Sequence, residues 1–146
     1  MREFLLLTIF VALSACQPNA DTGDLAGKAE PSPPWGSDCV APQVVATGVA
    51  IEQITGSPAR FEGVLVRTSG YYARDFEHSA IYATLEADPY DHKFASGIWL
   101  DRMDPTLSGK HVEITGQFTQ AFKGHLGQWP GSICVISATV TSQGAP

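Results

Sequence analysis

From Val64 to Tyr72 the apolar and small residues fall on alternate positions. Val64, Val66, Thr68, Gly70 and Tyr72 share one face of a strand, and Leu65, Arg67, Ser69 and Tyr71 the other. Gly70 interrupts this strand where a barrel strand has to bend or bulge. The stretch Ala73–Ser79 is polar and reads as a turn, after which Ala80–Leu85 returns as a second strand. Phe61–Leu85 is thus one long hairpin for which the later strands supply partners. Ile98–Asp101 reads as a short third strand. From Lys110 to Thr119 the alternation is clean, with Val112, Ile114, Gly116 and Phe118 inward and His111, Glu113, Thr115 and Gln117 outward. Ser132–Val140 closes the set.

The connections have their own chemistry. Glu86–Ser96 is polar and carries Pro89 and Asp91, so it reads as a loop. Asp104-Pro105 and Ser108-Gly109 mark the third connection, and a glycine-rich loop, Phe122–Gly131, the last. Ahead of the hairpin, Val49, Ile51 and Ile54 lie close to helical spacing until Gly56 and Pro58 end the pattern, so a short helix is expected within Val49–Phe61. Val40–Val45 is apolar but holds Pro42, which restricts it to an edge strand or a covering segment. Five strands, the first long and kinked, and one short helix predict a mainly β domain over residues 39–146. The architecture expected is a small five-stranded OB-like barrel, with a small β-sandwich as the alternative. The helix precedes the first strand and the third connection is short, both departures from the usual OB layout.

The N-terminus changes the picture of where this domain resides. Arg2 is followed by an apolar run, Phe4–Leu13, too short to cross a bilayer core of about 30 Å as a helix. Residues 1–15 therefore read as an export signal. Leu13-Ser14-Ala15-Cys16 resembles the lipobox of bacterial lipoproteins, which implies cleavage before Cys16 and its acylation. A plain signal peptide with a chance cysteine is the alternative. Acyl burial contributes about 0.8 kcal/mol per CH₂, so several chains anchor stably where one is marginal. Gln17 stands where retained inner-membrane lipoproteins often have Asp, so the resemblance implies a cell-envelope protein lipid-anchored in the outer membrane and facing the periplasm.

With Cys16 acylated, Cys39 and Cys134 remain as an even pair in an oxidising compartment, and a Cys39–Cys134 disulfide is expected. Two inert buried thiols are the alternative. Such a bridge would close nearly the whole domain, for which chain-entropy reasoning gives about 4.7 kcal/mol at ~100 residues. Residues 16–38 are mostly Pro, Ala, Gly, Ser and Asp, a composition that buries too little apolar surface to order itself. They read as a flexible linker holding the domain ~25 Å from the lipid, with Trp35 its one residue suited to docking.

Charge and motif content exclude whole classes of function. Nine Lys and Arg against fifteen Asp and Glu give a net charge of −6, the reverse of what a polyanion ligand requires, so nucleic acid is not an expected partner. No G-x-S-x-G elbow, HExxH, CxxC, EF-hand loop or phosphate-cradling Gly-Lys-Ser/Thr loop occurs, and no cofactor is implied. His78, His92, His111 and His125 lie among Glu77, Asp91 and Glu113 without ligand spacing, which argues against a metal site.

In an OB barrel the loops joining strands one to two and four to five flank the binding face. The first carries Arg74, Asp75, Phe76, Glu77 and His78, and the second Lys123, His125, Gln128 and Trp129. Glu77 and His125 are expected to meet there. With His78, Tyr82, Trp99 and Trp129 they form the candidate binding set. Two roles stay open for the pair: a reachable ligand or proton-transfer site, or a buried hydrogen bond fastening two loops.

The pattern of Pro58 and Phe61, Val64-x-Val66 and Gly70, Phe76-Glu77, Ile81-Tyr82, Trp99-Leu100, Gly109-x-x-Val112-x-x-x-Gly116-x-Phe118 and Gly124-His125-x-Gly127 resembles a group of uncharacterised bacterial exported proteins with an OB-like domain. The resemblance spans roughly Val49–Val140 and implies the fold and register, but no activity. The expected function is a membrane-anchored envelope lipoprotein whose non-enzymatic domain binds a protein or a cell-wall or sugar ligand. A hydrolase or metal-dependent enzyme using Glu77 and His125, and an inhibitor or immunity-type protein, are the alternatives.

Overall fold

The computed structural model describes residues 39, 45–84 and 94–142. The export signal, Cys16, the linker with Trp35, residues 40–44, Leu85 and the loop residues Pro89, Asp91 and His92 lie outside the described residues. Among those described, β1 (Thr47–Gly48) precedes helix α1 (Ile51–Gly56), then follow β2 (Leu65–Asp75), β3 (His78–Tyr82), β4 (Gly97–Asp101), β5 (His111–Thr119) and β6 (Ser132–Val140).

The strands close on themselves. Hydrogen-bonded neighbours run β1-β2-β3-β4-β6-β5, and β5 pairs back onto β2. Leaving aside the two-residue β1, the ring β2-β3-β4-β6-β5 is the five-stranded OB-like barrel expected, and the β2–β5 ladder rules out two separate sheets. β2 belongs to both halves of the barrel. Leu65–Tyr71 pairs antiparallel with Gln117–His111, and Tyr71–Asp75 pairs antiparallel with Tyr82–His78. β4 and β6 run parallel through Trp99–Asp101 and Ser132–Cys134.

Two glycines allow the closure. A Cβ on Gly70 would collide with the Tyr82 carbonyl and stand 2.5 Å from Ile51 Cδ1, and one on Gly116 would collide with the Cys134 carbonyl. At Gly116 the β5–β6 register also shifts, leaving Ile136 as the extra residue of a bulge. Strong curvature brings neighbouring chain onto the inner face here, and only a missing side chain admits it.

The inward face is the one the alternation predicts. Val66, Tyr72, Ile81, Ile98, Leu100, Val112, Ile114, Phe118 and Ile133 are buried in one cluster, joined by Ile51 and Ile54 of α1. The short helix lies within Val49–Phe61 and ends at Gly56, where the apolar spacing stops. It stops at Gly56 because Pro58 lacks an N–H, and the chain continues as a 3-10 turn, Pro58–Phe61. No α-helix lies between β4 and β5, where only a 3-10 turn, Pro105–Leu107, intervenes. α1, placed before the barrel, supplies the apolar side chains that enter the core beside Gly70.

The expected turn Ala73–Ser79 is corrected. Strand pairing continues through Ala73↔Ala80, Arg74↔Ser79 and Asp75↔His78, leaving only Phe76 and Glu77 as the turn. Arg74 and Asp75 are exposed where the hairpin projects past the core, and His78 is half-buried. The bend is made by Glu77 at φ 57°. An edge strand at Val40–Val45 is not seen in its described part: Val45 is exposed coil, and the first strand is Thr47–Gly48, parallel to Val66–Arg67. Cys39 stands at disulfide distance from Cys134, with Cα atoms 5.6 Å apart and a separation of 95 positions in sequence.

Candidate functional site

Six sequence-predicted residues, Glu77, His78, Tyr82, Trp99, His125 and Trp129, converge on one side of the barrel, but they divide into two groups. The outer face of β3 and β4 presents Ala80, Tyr82 and Trp99, with Ala80 directly opposite Trp99. The loop between β5 and β6 folds back over that face and lays Trp129 on it. Ala80, Tyr82 and Trp129 form a second buried cluster, with Ala73, Phe94 and Trp99 packed against it.

Ring contacts make this cluster a continuous aromatic layer. Trp129 meets Trp99 edge-on at 4.8 Å between centroids and Phe94 at 4.8 Å, and His78 meets it edge-on at 5.4 Å. Trp99 also contacts Phe122 at 6.5 Å. Such pairs add about 0.5–1.5 kcal/mol beyond the area they bury. The loop backbone is fixed from within: Trp129 N–H donates to the Lys123 carbonyl at 3.2 Å, and Ser132 Oγ donates to the Phe122 carbonyl at 2.9 Å. Gly124, at φ 68° and ψ −166°, adopts a backbone essentially reserved for glycine, and a Cβ there would lie 2.5 Å from the Trp99 ring. Gly124 is therefore a requirement of seating the loop on Trp99, whereas Gly127, at φ 68° with open space around it, serves the turn.

Polar atoms run through the layer. Tyr82 Oη and His78 Nε2 are 3.2 Å apart and their rings stack. Burial pushes the Tyr82 hydroxyl up to about 12, against the opposing influence of the Trp129 indole Nε1–H. That N–H lacks a partner of hydrogen-bond geometry although the residue is 2% exposed. Burial also lowers His78 below the usual histidine range, opposed by the Asp75 carboxylate. Neutral His78 is thus the favoured form, and its Nε2 can accept the Tyr82 proton. Since Tyr82 and Trp129 are both buried, neither ring face is open to a ligand in this arrangement.

Glu77 and His125 form the other group. His125 Nε2 lies 3.1 Å from Glu77 Oε2, bridging the β2–β3 turn to the β5–β6 loop as their topology suggests. The side chains are 25% and 51% exposed respectively, so the pair is reachable from solvent and is not the buried fastening that was the alternative. Each lies beside an exposed apolar residue: Phe76 is 87% exposed and Leu126 73%. Leu126 sits at φ 55°, an uncommon conformation for a branched side chain. The candidate binding set includes neither residue. A large apolar side chain inside a two-residue turn, and another between two turn glycines, were the available signals.

Around the turn lies a cleft of about 250 Å³ whose walls include Arg74, Asp75, His78, Ser79, Asp101 and Arg102. Ser79 is committed to the barrel: its Oγ donates to the Leu100 carbonyl at 2.8 Å and lies 3.3 Å from Tyr72 Oη. His111 is distant from this region, paired through Nδ1 with Thr141 Oγ1 at 2.6 Å. No group of three or more His, Cys, Asp or Glu side chains suited to a metal ion gathers among the described residues. One carboxylate that sequence reasoning missed, Glu62, holds the start of the β5–β6 loop, accepting from Thr119 Oγ1 and from the Gln120 N–H, both at 2.6 Å. Compared with protein-family models and with curated proteins, the sequence finds no match.

Proposed function

We propose that this chain is a lipid-anchored envelope protein whose OB-like barrel is a non-enzymatic binding module for a protein partner. The observation that carries the reading is the exposure of Phe76 and Leu126 on two loops bridged by Glu77 and His125. Apolar side chains held outward on short, constrained loops lose little freedom on docking, which favours affinity. A glycan or wall-fragment ligand is the weaker reading. Sugars stack on open aromatic faces, and here Tyr82, Trp99 and Trp129 are packed against one another. Support for the anchor is in the sequence alone, in the apolar run Phe4–Leu13 ending at Leu13-Ser14-Ala15-Cys16.

The test replaces Phe76 and Leu126 by Ser and compares envelope crosslinking of that chain with wild type. The expected outcome is an unchanged melting temperature, because both side chains are exposed, with loss of a specific crosslinked protein. Retention of every crosslinked protein by the double variant overturns the docking surface. Saturable quenching of tryptophan fluorescence by wall-derived oligosaccharides would move the reading to a glycan. Absence of fatty-acid labelling in the wild-type chain would remove the lipid anchor, and labelling that persists in Cys16→Ser would move it away from Cys16.

A further inference from the structure

The two edges of β6 are used unequally. One edge pairs with β5 along the length of the strand, from Ser132 to Val140. The other pairs with β4 only through Ser132, Ile133 and Cys134. Among the described residues none pairs with that second edge from Val135 to Val140, and there its backbone N–H and C=O groups can serve as a template for another strand. On β2 the comparable edge is occupied, first by Thr47–Gly48 and then by β3.

Proteins usually guard such an edge with charge, proline or a very short strand. Here the residues are Val135, Ile136, Ser137, Ala138, Thr139 and Val140, rich in β-branched side chains, and no Asp, Glu, Lys or Arg occurs between Gly124 and Pro146. β2, β4 and β5 carry Arg67, Asp101 and Glu113 respectively. Ile136 and Val140 remain 38% and 49% exposed on β6. Among the described residues, the bulge at Ile136 is the one guard of the usual kinds along this stretch.

We propose that the Val135–Val140 edge of β6 is a self-association surface that pairs antiparallel with the same edge of a second copy of this chain. The occupant follows from symmetry and charge. A two-fold interface sets each residue against the same short stretch of its partner, so any charge in the stretch would face its like. A stretch of six residues with no ionised side chain, in a chain of net charge −6, meets that condition. Six residues is also the usual length of a strand. The ladder runs away from the β5–β6 loop, leaving Phe76 and Leu126 of both copies free, so a dimer would offer two docking surfaces instead of one.

The test is sedimentation of the full chain in density-matched detergent across a concentration series, with Ser137 and Thr139 as the exposed positions to alter. The expected result is a reversible monomer–dimer equilibrium that tightens as salt screens the like-charged copies. Ser137→Lys/Thr139→Lys and Ser137→Glu/Thr139→Glu should each raise the dissociation constant at least tenfold. Mixing the two should restore the dimer as a heterodimer, with circular dichroism unchanged throughout. A wild-type chain that remains monomeric over the series overturns the proposal, as does a dimer that the Lys and Glu variants leave intact.

Discussion

The barrel interior and the aromatic layer on its outer face are both buried, yet they are held by different physics. Inside, Val66, Ile81, Ile98, Leu100, Ile114 and Ile133 are aliphatic, and strands paired on both sides position them. Outside, Tyr82 and Trp129 carry polar atoms, Phe94, Trp99 and His78 complete the layer, and a twelve-residue loop between β5 and β6 holds the lid in place. Each region has one buried polar atom without a partner among the described residues, Thr68 Oγ1 within and Trp129 Nε1 without. The interior hydroxyl sits on a ladder with no freedom to move. The indole sits on a loop held by side-chain packing and not by a ladder, so the outer layer is where a single loop substitution should act.

The largest expected effect separates the two by their glycines. Gly70→Val drives a side chain into the Tyr82 backbone and Ile51, where the ladder cannot yield, and should cost more than ~4 kcal/mol, seen as loss of the cooperative unfolding transition. Gly124→Ala strains one loop residue and sets its Cβ against Cγ, Cδ2 and Cε3 of the Trp99 ring, and should cost about 1–3 kcal/mol with the barrel retained. Unfolding followed by far-ultraviolet dichroism and by tryptophan fluorescence should then give coincident curves for wild type and an earlier fluorescence change for Gly124→Ala. Equal destabilisation by the two substitutions would show that the outer layer and the barrel are one cooperative unit.

A smaller effect comes from titration within the outer layer. Burial lowers His78 in the folded chain, so between its folded value and the unfolded value near 6.5 the unfolded chain binds more protons. Stability contributed by neutral His78 is therefore complete above about pH 6.5 and is lost as pH falls through the folded value. His78→Gln should flatten this acid limb of the stability profile while leaving the barrel's response to denaturant at pH 8 little altered. Persistence of the same acid limb in the variant would assign it to other groups.

How much of this was legible beforehand follows from the same division. Residues of the interior announce themselves by period-two alternation, which is why Lys110–Thr119 was read within one residue of β5 and Ser132–Val140 as the whole of β6. Gly70 was readable as a bend because a glycine inside an apolar strand has few other uses. The turn was read too long because Arg74, Asp75 and His78 are polar, and polarity alone does not distinguish a turn from a strand that outruns its core. The aromatic layer was legible as a set of residues but not as a buried one: nothing in the order of Trp99, Gly124 and Trp129 says that the loop folds back over the strand face. The Glu77–His125 contact was reached from topology, since two loops that flank one face bring their tips together.

That contact should have the smallest effect on stability and the sharpest consequence for function. Half-exposed, the Glu77–His125 pair gains little from Coulomb attraction in high dielectric, and exposed pairs contribute about 0–1 kcal/mol. Glu77→Gln and His125→Asn should therefore shift the midpoint of denaturant unfolding barely beyond error, at any pH from 6 to 8. Glu77 also holds φ 57°, so Glu77→Gly should be neutral or slightly stabilising, whereas a buried structural pair would lose about 1–3 kcal/mol on losing either member. If stability falls by that larger amount, the pair belongs with the aromatic layer as part of what closes it. If stability holds while crosslinking at Phe76 and Leu126 weakens, the pair sets the spacing of the two apolar tips, and the loops are kept for their partner and not for the fold.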